Sequence, residues 1–345
     1  MAELELPSVE GLSGARCFVT GGAGFIGSPL VRVLLKSGAE VVAYDNLATG
    51  HAANLGDVKA EVGREVKLVH GDVRDREKLA RALPGADLVF HLACLGVRHS
   101  IHSPFENLDV NARGTLSVLA EARAARVKRV VHVSTSEVYG TAKHVPMTEE
   151  HATDPHTVYG ASKLDGECCA RAFFRCYGAP VVVVRPFNAY GPRSHSEGDS
   201  GEVIPRFLVR ALVGKAPVVF GEGSQTRDFT HVYDTAAAMA RAAVTTGVEG
   251  ETFNVGAGSE LRIDELARIV TAAVGRPELR AEHIEPRPGD VLRLFADSSK
   301  AQRVLGHRAT VSMKDGIADL AARVRALGDD AVRALDANIV VRSWA

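Results

Sequence analysis

The stretch TGGAGFIGS, residues 20–28, decides the fold that this sequence predicts. Gly22, Gly24 and Gly27 have the spacing G-x-G-x-x-G, directly after the apolar run ARCFVT and directly before a helical pattern. Glycine permits a tight turn and lets backbone N–H groups approach a pyrophosphate, which then lies at the positive end of the following helix. A turn needed only for packing can have the same glycines. The residues that follow must therefore decide between a pyrophosphate-binding loop and a packing turn.

An acidic residue at the expected distance favours the ligand site. Asp45 ends the second apolar run, EVVAYD, 18 residues after Gly27. At the end of a second strand its carboxylate can accept hydrogen bonds from both ribose hydroxyls of an adenosine, and it would repel a 2′-phosphate. The motif in this setting therefore predicts a dinucleotide site selective for NAD over NADP. Asp72 follows the third apolar run, VKLVHG. It can either contact the adenine or cap the next helix.

Short apolar runs alternate with helical patterns through the first half of the chain. This alternation predicts an α/β protein with a doubly wound parallel sheet of the Rossmann type, in which ligands lie at the carboxyl ends of the strands. The predicted strands are ARCFVT, EVVAYD, VKLVHG, DLVFHLA, RVVHVST and PVVVVRP, and helices are expected to begin near Gly24, Arg74, Pro104 and Thr157.

After Pro186 the pattern changes. The segment NAYGPRSHSEGDSGEVIP is rich in Gly, Pro and Ser, and the helices and short apolar runs after it predict a smaller mixed α/β substrate-binding domain. Because ETFNVG near Asn254 still has the pattern of a core strand, we expect the two domains to be interleaved. The expected ranges are 14–187 for the dinucleotide-binding domain with returns near 228–256, 188–327 for the smaller domain, and 328–345 for a tail with no assigned role.

The composition excludes several classes of protein. A net charge of −1 over 345 residues argues against nucleic-acid or membrane-surface partners, which would favour a strong basic excess. The start, MAELELPSVEGLSG, has neither the apolar stretch of a secretory signal nor that of a membrane span, so we expect a cytoplasmic protein.

Cysteine and histidine spacing does not favour a metal site. The cysteines lack the paired spacing of zinc ligands and are expected to be reduced core residues; they are Cys17, Cys94, Cys168, Cys169 and Cys176. His99 and His102 have no third ligand nearby in sequence, so no bound metal is expected.

Tyr159 and Lys163, in VYGASK, are the first candidates for chemistry. They are four residues apart on a predicted helix and therefore share a face. An ammonium beside a phenol favours the phenolate and lowers its pKa toward the range in which tyrosine acts as a base. Such a pair also occurs on solvated helix faces, but here Ser134, Thr135 and Ser136 at the end of the preceding strand deliver hydroxyls to the same carboxyl edge.

Five ordered motifs resemble the extended short-chain dehydrogenase/reductase family, in its nucleotide-sugar epimerase and dehydratase branch. They are TGGAGFIGS, STSEVYG, YGASK, RPFNAYGPR and QTRDFTHV, and the resemblance extends from Arg16 to about Arg308. It implies an NAD-dependent enzyme that acts on a UDP-sugar. It also implies that Tyr159 removes a sugar hydroxyl proton, Lys163 holds the nicotinamide ribose and Thr135 hydrogen-bonds the reacting oxygen.

The resemblance further implies the ligand contacts. The expected substrate-binding residues are Ser136, Glu137, Asn188, Arg193, Arg227, Arg287 and Asp290. The expected cofactor-binding residues are Gly21, Gly24, Phe25, Ile26, Gly27, Asp45, Asn46, Asp72, Val73, Leu92, Ala93, Asn111, Tyr159 and Lys163. Arginines grip phosphate oxygens, so Arg227 and Arg287 are expected at the diphosphate, with Asp290 at the ribose or as a structural partner. His231 is expected to be structural.

The triplet Thr135, Ser136 and Glu137 separates the reactions of the family. The 4,6-dehydratases that this chain resembles have Thr-Asp-Glu, and Ser136 stands where their acid stands, although some GDP-mannose dehydratases also have serine there. Thr-Ser-Glu is also the pattern of UDP-glucuronate decarboxylases, whereas YGASK resembles the epimerases. We therefore expect a 4-epimerase, with a decarboxylase as the alternative and a 4,6-dehydratase after it; a catalytically silent NAD-binding regulator is the hypothesis from another class.

The sugar is expected to be UDP-glucuronate/UDP-galacturonate or, next, UDP-glucose/UDP-galactose. Oxidation at C4 of a glucuronate creates a β-keto acid that loses carbon dioxide readily when its carboxylate stands perpendicular to the ketone. An epimerase must hold the carboxylate away from that alignment. The hydroxyls of Thr135 and Ser136 and the guanidinium of Arg193 are the candidates for this.

A helical segment with apolar residues on most sides predicts self-association. The segment TVYGASKLDGECCARAFFRCYG can cover the sheet with one face only, so its other faces need a second partner. Together with a helix around residues 111–126, it is expected to form a four-helix contact across a two-fold axis, which makes a homodimer, as the family resemblance suggests.

Overall fold

The structure is a computed structural model and describes residues 4–198 and 200–342. Its strands are β1 (Arg16–Thr20), β2 (Glu40–Asp45), β3 (Lys67–His70), β4 (Leu88–His91), β5 (Arg129–Val133), β6 (Val181–Pro186), β7 (Asn188–Tyr190), β8 (Val218–Phe220), β9 (Thr226–Arg227), β10 (Phe229–His231), β11 (Thr252–Val255), β12 (Leu261–Arg262) and β13 (Glu282–Ile284). Its α-helices are α1 (Gly27–Lys36), α2 (Val58–Val62), α3 (Arg76–Ala82), α4 (Val97–His102), α5 (Pro104–Leu108), α6 (Gly114–Ala124), α7 (Val158–Tyr177), α8 (Val203–Leu212), α9 (Val232–Val244), α10 (Ile263–Ala273), α11 (Ser299–Leu305), α12 (Met313–Ala326) and α13 (Asp329–Ala337).

A seven-stranded sheet, in the order β11-β6-β5-β4-β1-β2-β3, forms the centre of the protein. All its neighbouring strands pair in parallel. Every residue of β4, β5 and β6 is buried, as a sheet covered on both faces requires. The predicted doubly wound α/β sheet is therefore confirmed, and β11, around Asn254, joins it as its last strand.

Helices cover both faces of this sheet. On one face α1 and α9 pack against each other and contribute to the larger apolar core; on the other face α3, α6 and α7 enclose a second core. The longest helix, α7, starts where Thr157 accepts a hydrogen bond from the backbone N–H of Gly160 and ends at Gly178, whose φ of +63° suits glycine. The cap places the first turn of α7, which carries Tyr159, against the carboxyl end of β5.

The chain after β6 builds a further apolar core. Helices α8, α10 and α12 pack around it, and the pairs β7/β10, β9/β12 and β8/β13 form small two-stranded sheets. Helix α13, in the tail without an assigned role, packs against α8. Among residues 4–198 and 200–342, no helix combines the length and apolar character needed to cross a membrane.

Candidate active site

A cavity of about 520 Å³ lies along the carboxyl edge of the sheet. Its wall is built by the segments that follow each of the first six strands, by α8 and β8, and by the loop after β13. The wall contains these residues named from the sequence: Gly21, Gly24, Phe25, Ile26, Gly27, Asp45, Asn46, Val73, Leu92, Ala93, Thr135, Ser136, Glu137, Tyr159, Lys163, Asn188, Arg227, Arg287 and Asp290. Asp72, Asn111 and Arg193 lie outside it.

The glycine-rich loop has no space for side chains. A Cβ on Gly27 would lie 1.9 Å from the carbonyl oxygen of Gly21, and one on Gly21, whose φ is +69°, would lie 2.8 Å from the backbone nitrogen of Ala93. Gly22 is equally close to Ala43 of β2. The loop therefore brings backbone and the N-terminus of α1 to the cavity wall, which is the arrangement that a dinucleotide pyrophosphate requires.

Asp45 lies beside this loop at the end of β2. Its carboxylate accepts hydrogen bonds from the backbone N–H groups of Ala23, at 3.0 Å, and Leu47, at 2.8 Å. The side chain is buried yet belongs to the cavity wall, so it both shapes the glycine loop and offers acceptors to a ligand. The donors and acceptors present here fit the adenosine half of NAD.

Asp72 makes protein contacts. Its carboxylate accepts hydrogen bonds from the backbone and side chain of Arg74 and from the Asn46 amide, and the bond with the Arg74 side chain is the main reason that its pKa falls to about 2. It does not cap α3, because Asp75 accepts the bond from Lys78 that caps that helix. Its neighbour Val73 lies in the cavity wall, whereas Asp72 orders the loop behind it.

Asn111 lies behind the cavity wall. It is fully buried within a π-helical turn between α5 and α6, accepts a hydrogen bond from the backbone N–H of Leu95 and donates to the Leu95 carbonyl. Its amide also donates to Asn107 and Ser162. These bonds occupy the side chain, so Asn111 holds the loop after β4 in place from behind.

Tyr159, Lys163 and Thr135 meet at the carboxyl end of β5. Thr135 lies two residues after the end of β5 and caps the turn Ser136–Tyr139, where its hydroxyl accepts a hydrogen bond from the backbone N–H of Glu137. The ammonium of Lys163 is buried and donates to the carbonyl of Val133 at 2.7 Å. Helix α7 thus places Tyr159 and Lys163 against the hydroxyl that β5 delivers.

The pKa of Tyr159 differs from the sequence expectation. Burial raises the pKa of this phenol, the Cys94 thiol and the Glu137 carboxylate raise it further, and the hydrogen bond with Thr135 opposes them. The predicted lowering of the Tyr159 pKa is therefore wrong for the protein alone, because burial is the largest effect and raises it. Burial also lowers the pKa of Lys163, against the effects of Cys94 and Glu167, since a low-dielectric site disfavours every charge.

Asp290 joins the two arginines that were expected to grip phosphate. It accepts a hydrogen bond from Arg227, at 2.9 Å, and another from Arg287. Burial lowers the pKa of the Arg227 guanidinium, and the charge of Asp290 opposes that effect. The amide oxygen of Asn188 is also buried in this wall and has no hydrogen-bond partner among the described residues. These groups form a polar band that can bind a diphosphate.

Arg193 does not join this band. Its guanidinium donates to Asp57, which precedes α2, at 2.7 Å and approaches Glu61 of α2 at 3.5 Å. Two carboxylates hold the side chain there, so Arg193 lies apart from the other substrate-binding candidates. Its expected contact with a sugar carboxylate has no support in the structure.

The structure adds cavity residues that were not singled out in the sequence. Cys94 lies in the wall and affects the pKa of both Tyr159 and Lys163, and Glu202 lies in it with a pKa that burial raises to about 7. Cys94 follows β4 in HLACLG, and the rule that ligands lie at carboxyl ends would have indicated it. The expectation that all cysteines are core residues is wrong, because Cys168 and Cys176 are exposed on α7.

His231 has the structural role that was predicted for it. His231 accepts a hydrogen bond from the backbone N–H of Tyr233 and so caps α9, which agrees with a structural role.

His51, His195 and Glu197 form a separate cluster. The atoms with which they could bind a metal lie within 4.8 Å of one another, a grouping that their distant positions in the sequence did not indicate. Glu197 hydrogen-bonds His195 at 3.0 Å and raises its pKa against the effect of burial.

A buried ion pair supports the helix that carries the Tyr and Lys pair. Glu167, one turn after Lys163, accepts two hydrogen bonds from Arg185, at 2.8 and 2.6 Å. Arg185 also donates to the hydroxyl of Tyr139, which donates to Asn254 of β11 at 2.7 Å. Burial raises the pKa of Glu167, but Arg185, together with Ser134 and Arg171, lowers it by more, so that the pKa lies below its usual value. This network ties α7 to the sheet.

The glycine loop, the parallel sheet and the Tyr159/Lys163 pair define a dinucleotide-dependent enzyme of the extended short-chain dehydrogenase/reductase class. The family model described as GDP-mannose 4,6 dehydratase matches residues 18–320, and the chain belongs to this family of nucleotide-sugar enzymes.

Relatives of this chain have names for three different reactions. UDP-glucose 4-epimerase of Mycolicibacterium smegmatis is 38% identical over 88% of this chain and 96% of its own length. UDP-N-acetyl-alpha-D-glucosaminuronate decarboxylase of Bacillus cytotoxicus is 36% identical over 73% of this chain and 78% of its own length. The crystal structure of dTDP-glucose 4,6-dehydratase from Streptomyces venezuelae, with NAD bound, has a TM-score of 0.85 and 37% identity, covering 90% of this chain and 97% of that one.

Proposed function

We propose that this protein is an NAD-dependent UDP-sugar 4-epimerase. The observation that supports this most directly is the meeting of Tyr159, Lys163 and Thr135 in the wall that also contains the glycine loop. The polar band of Arg227, Arg287 and Asp290 extends the same cavity toward α8 and would take the diphosphate. NAD is the cofactor, and the glycine loop and Asp45 fit its pyrophosphate and ribose.

The proposed reaction proceeds by oxidation and reduction at sugar C4. Bound NAD would supply the acceptor for the hydride of C4 and the donor that returns it, and its positive nicotinamide ring would favour the Tyr159 phenolate. Tyr159 takes the proton of the C4 hydroxyl while the C–H bond breaks, which leaves a ketone on the sugar. Thr135 hydrogen-bonds that oxygen, Lys163 holds the nicotinamide ribose, and Tyr159 returns the proton after the sugar has turned its other face.

Ser136 and Glu137 support epimerisation over elimination. Ser136 is buried in the wall and offers a hydroxyl where a 4,6-dehydratase of the Thr-Asp-Glu type has its acid, so an acid for loss of the C6 hydroxyl is missing at that position. Glu137 brings a buried carboxylate to the same wall, which keeps the UDP-glucuronate decarboxylase as the second candidate.

The choice of sugar depends on what faces C6. With Arg193 bound to Asp57, a uronate carboxylate would be held by the hydroxyls of Thr135 and Ser136. UDP-glucuronate/UDP-galacturonate and UDP-glucose/UDP-galactose are therefore both proposed substrates.

Incubation with UDP-glucuronate and, separately, UDP-glucose tests the proposal. We expect the C4 epimer of at least one sugar, detected by chromatography against both standards, without release of carbon dioxide. A UDP-pentose with carbon dioxide would replace the epimerase by the decarboxylase, and a 4-keto-6-deoxy sugar would replace it by the dehydratase. No reaction with any nucleotide sugar, together with retained NAD binding, would favour the silent regulator.

We also propose a homodimer through α5, α6 and α7. These helices pack together and leave apolar side chains in solvent, with Phe105 87%, Leu108 45% and Leu116 44% exposed. The exposed Cys168 and Cys176 of α7 extend the same type of surface. A second copy related by a two-fold axis would bury these side chains.

The change Phe105→Asp is expected to shift the dimer to monomer, because it places a charge in the proposed contact. Sedimentation equilibrium over a wide concentration range measures the mass of both proteins. The matched control is Leu292→Asp, which alters an apolar residue that is 66% exposed in another part of the chain and is expected to leave the dimer intact. A wild-type mass equal to one chain at every concentration would refute the dimer.

A further inference from the structure

The tail of the chain reaches the cavity. The family model ends at residue 320, and the segment after Gly328 has no role in the proposed reaction. In the structure α13 packs against α8, with Val332 buried, and Lys215 pairs with Asp336. After the helix, Ile339 and Val341 lie in the cavity wall.

Burial and exposure alternate from residue to residue in the segment after α13. Ile339 and Val341 are partly buried at the cavity, whereas Val340 is 53% exposed and Arg342 is exposed and donates to Glu285 at 3.0 Å. The ion pairs of Lys215 and Glu285 hold the two ends of the segment on the elements that flank β8 and β13. The apolar residues of the tail therefore face inward at every second position.

The wall that these two residues join is mostly apolar. It contains Phe207 and Arg210 of α8, Val218, Val219 and Phe220 of β8, and Ile263 at the start of α10. The side chain of Gln225 donates to the Phe220 carbonyl at 2.8 Å and so connects this region to the strand β9 that carries Arg227. The polar band thus lies between the Tyr159 end of the cavity and this apolar end.

The groups of a nucleotide sugar follow the same order as these three parts of the cavity: a sugar, a charged diphosphate and a nucleoside with a planar base. If the sugar reacts at Tyr159 and the diphosphate binds the polar band, the nucleoside continues into the apolar end. A planar base loses unfavourable contact with water when aliphatic and aromatic side chains cover its faces. The apolar end of the cavity offers such side chains, and two of them come from the tail.

We propose that residues 338–342 form one wall of the pocket for the nucleotide base, with Ile339 and Val341 in contact with the base. This inference rests on the proposed function, because it takes the ligand to be a nucleoside diphosphate sugar. It makes the tail a part of substrate binding that the matched family region does not supply. The tail would then affect the affinity for the nucleotide and leave the proton transfer at Tyr159 unchanged.

The pair Ile339→Asn and Val340→Asn tests the proposal with neighbouring residues. Each change puts an amide in place of an aliphatic side chain, but only Ile339 lies in the cavity wall. We expect Ile339→Asn to raise the Kd for UDP about tenfold in calorimetry, and Val340→Asn to leave it unchanged. Val341→Asn is expected to act like Ile339→Asn, so the effect should alternate along the segment.

Further measurements separate contact with the base from general damage. Inorganic pyrophosphate has no base, so its binding is expected to be equal in all variants, and NAD binding and thermal unfolding should also match the wild type. With the identified sugar substrate, Ile339→Asn should raise KM and leave kcat unchanged. Equal UDP affinity in all three variants would overturn the proposal, and so would a loss of pyrophosphate binding that matches the loss of UDP binding.

The failure of the proposed function gives a different result. A wild-type protein that binds none of UDP, dTDP and GDP would contradict the nucleotide-sugar reaction itself. A wild-type protein that binds UDP, with variants that bind it equally well, would contradict only the role of the tail.

Discussion

Replacing Tyr159 by phenylalanine is expected to lower turnover about 10²- to 10⁴-fold, the range that a positioned acid or base contributes. The change removes only the phenol oxygen, so the sugar hydroxyl loses the group that takes its proton. The aromatic ring stays in the cavity wall, and NAD binding is expected to change little. Turnover with the identified UDP-sugar and calorimetric titration with NAD measure the two effects.

A control on the same helix distinguishes chemistry from helix damage. Tyr177 ends α7 and is 56% exposed, so Tyr177→Phe is expected to keep wild-type turnover. The pH profile gives a second test. Because burial raises the pKa of Tyr159, the wild-type rate should increase with pH as the phenol ionises, and this increase should be lost in Tyr159→Phe. Wild-type turnover in Tyr159→Phe would remove the phenol from the mechanism.

Replacing Glu167 by alanine is expected to lower the free energy of unfolding by about 3–5 kcal/mol. Glu167 is fully buried and accepts two hydrogen bonds from Arg185, so its removal leaves a buried guanidinium without its main counter-charge. Denaturant unfolding followed by circular dichroism measures the loss. Glu10→Ala is the matched control, because Glu10 is an exposed glutamate outside α7, and it is expected to change stability by less than about 0.5 kcal/mol.

The pH dependence of stability for a second variant, Glu167→Gln, has a defined sign. Arg185 lowers the pKa of Glu167 below its value in the unfolded chain, which is about 4.3. The ion pair therefore stabilises the fold fully above that unfolded value, and its contribution is lost as pH falls through the folded pKa. The stability difference between wild type and Glu167→Gln should shrink in acid. A constant difference from neutral to acidic pH would show that the ion pair is not its cause.

Much of the site was predictable because its residues lie close together in sequence or follow a topological rule. The glycine spacing after β1 depends on backbone geometry within a few residues, and Tyr159 and Lys163 share a face because a helix repeats every 3.6 residues. Carboxyl ends of parallel strands meet at one edge, which brings Asp45 and Thr135 to one cavity. These predictions required no knowledge of side-chain partners.

The predictions that failed depended on such partners. Arg193 is the last residue of the family motif RPFNAYGPR. Asp57 and Glu61, more than a hundred residues earlier, nevertheless hold its guanidinium away from the cavity. The pKa of Tyr159 is raised by burial, by Cys94 and by Glu137, and only the hydrogen bond with Thr135 lowers it. Neither the partners of a long side chain nor its dielectric surroundings are determined by local spacing.

The sequence by itself determined the first six strands of the sheet, the backbone loop at the first strand and the phenol–ammonium pair, since each follows from local geometry and the period of its apolar residues. Only the tertiary structure decided which long polar side chains reach the cavity and that Ile339 and Val341 join its wall. The reason is that ion pairs and apolar contacts between distant segments depend on how the whole chain packs. The spacing of residues along the chain does not determine the distances between such segments.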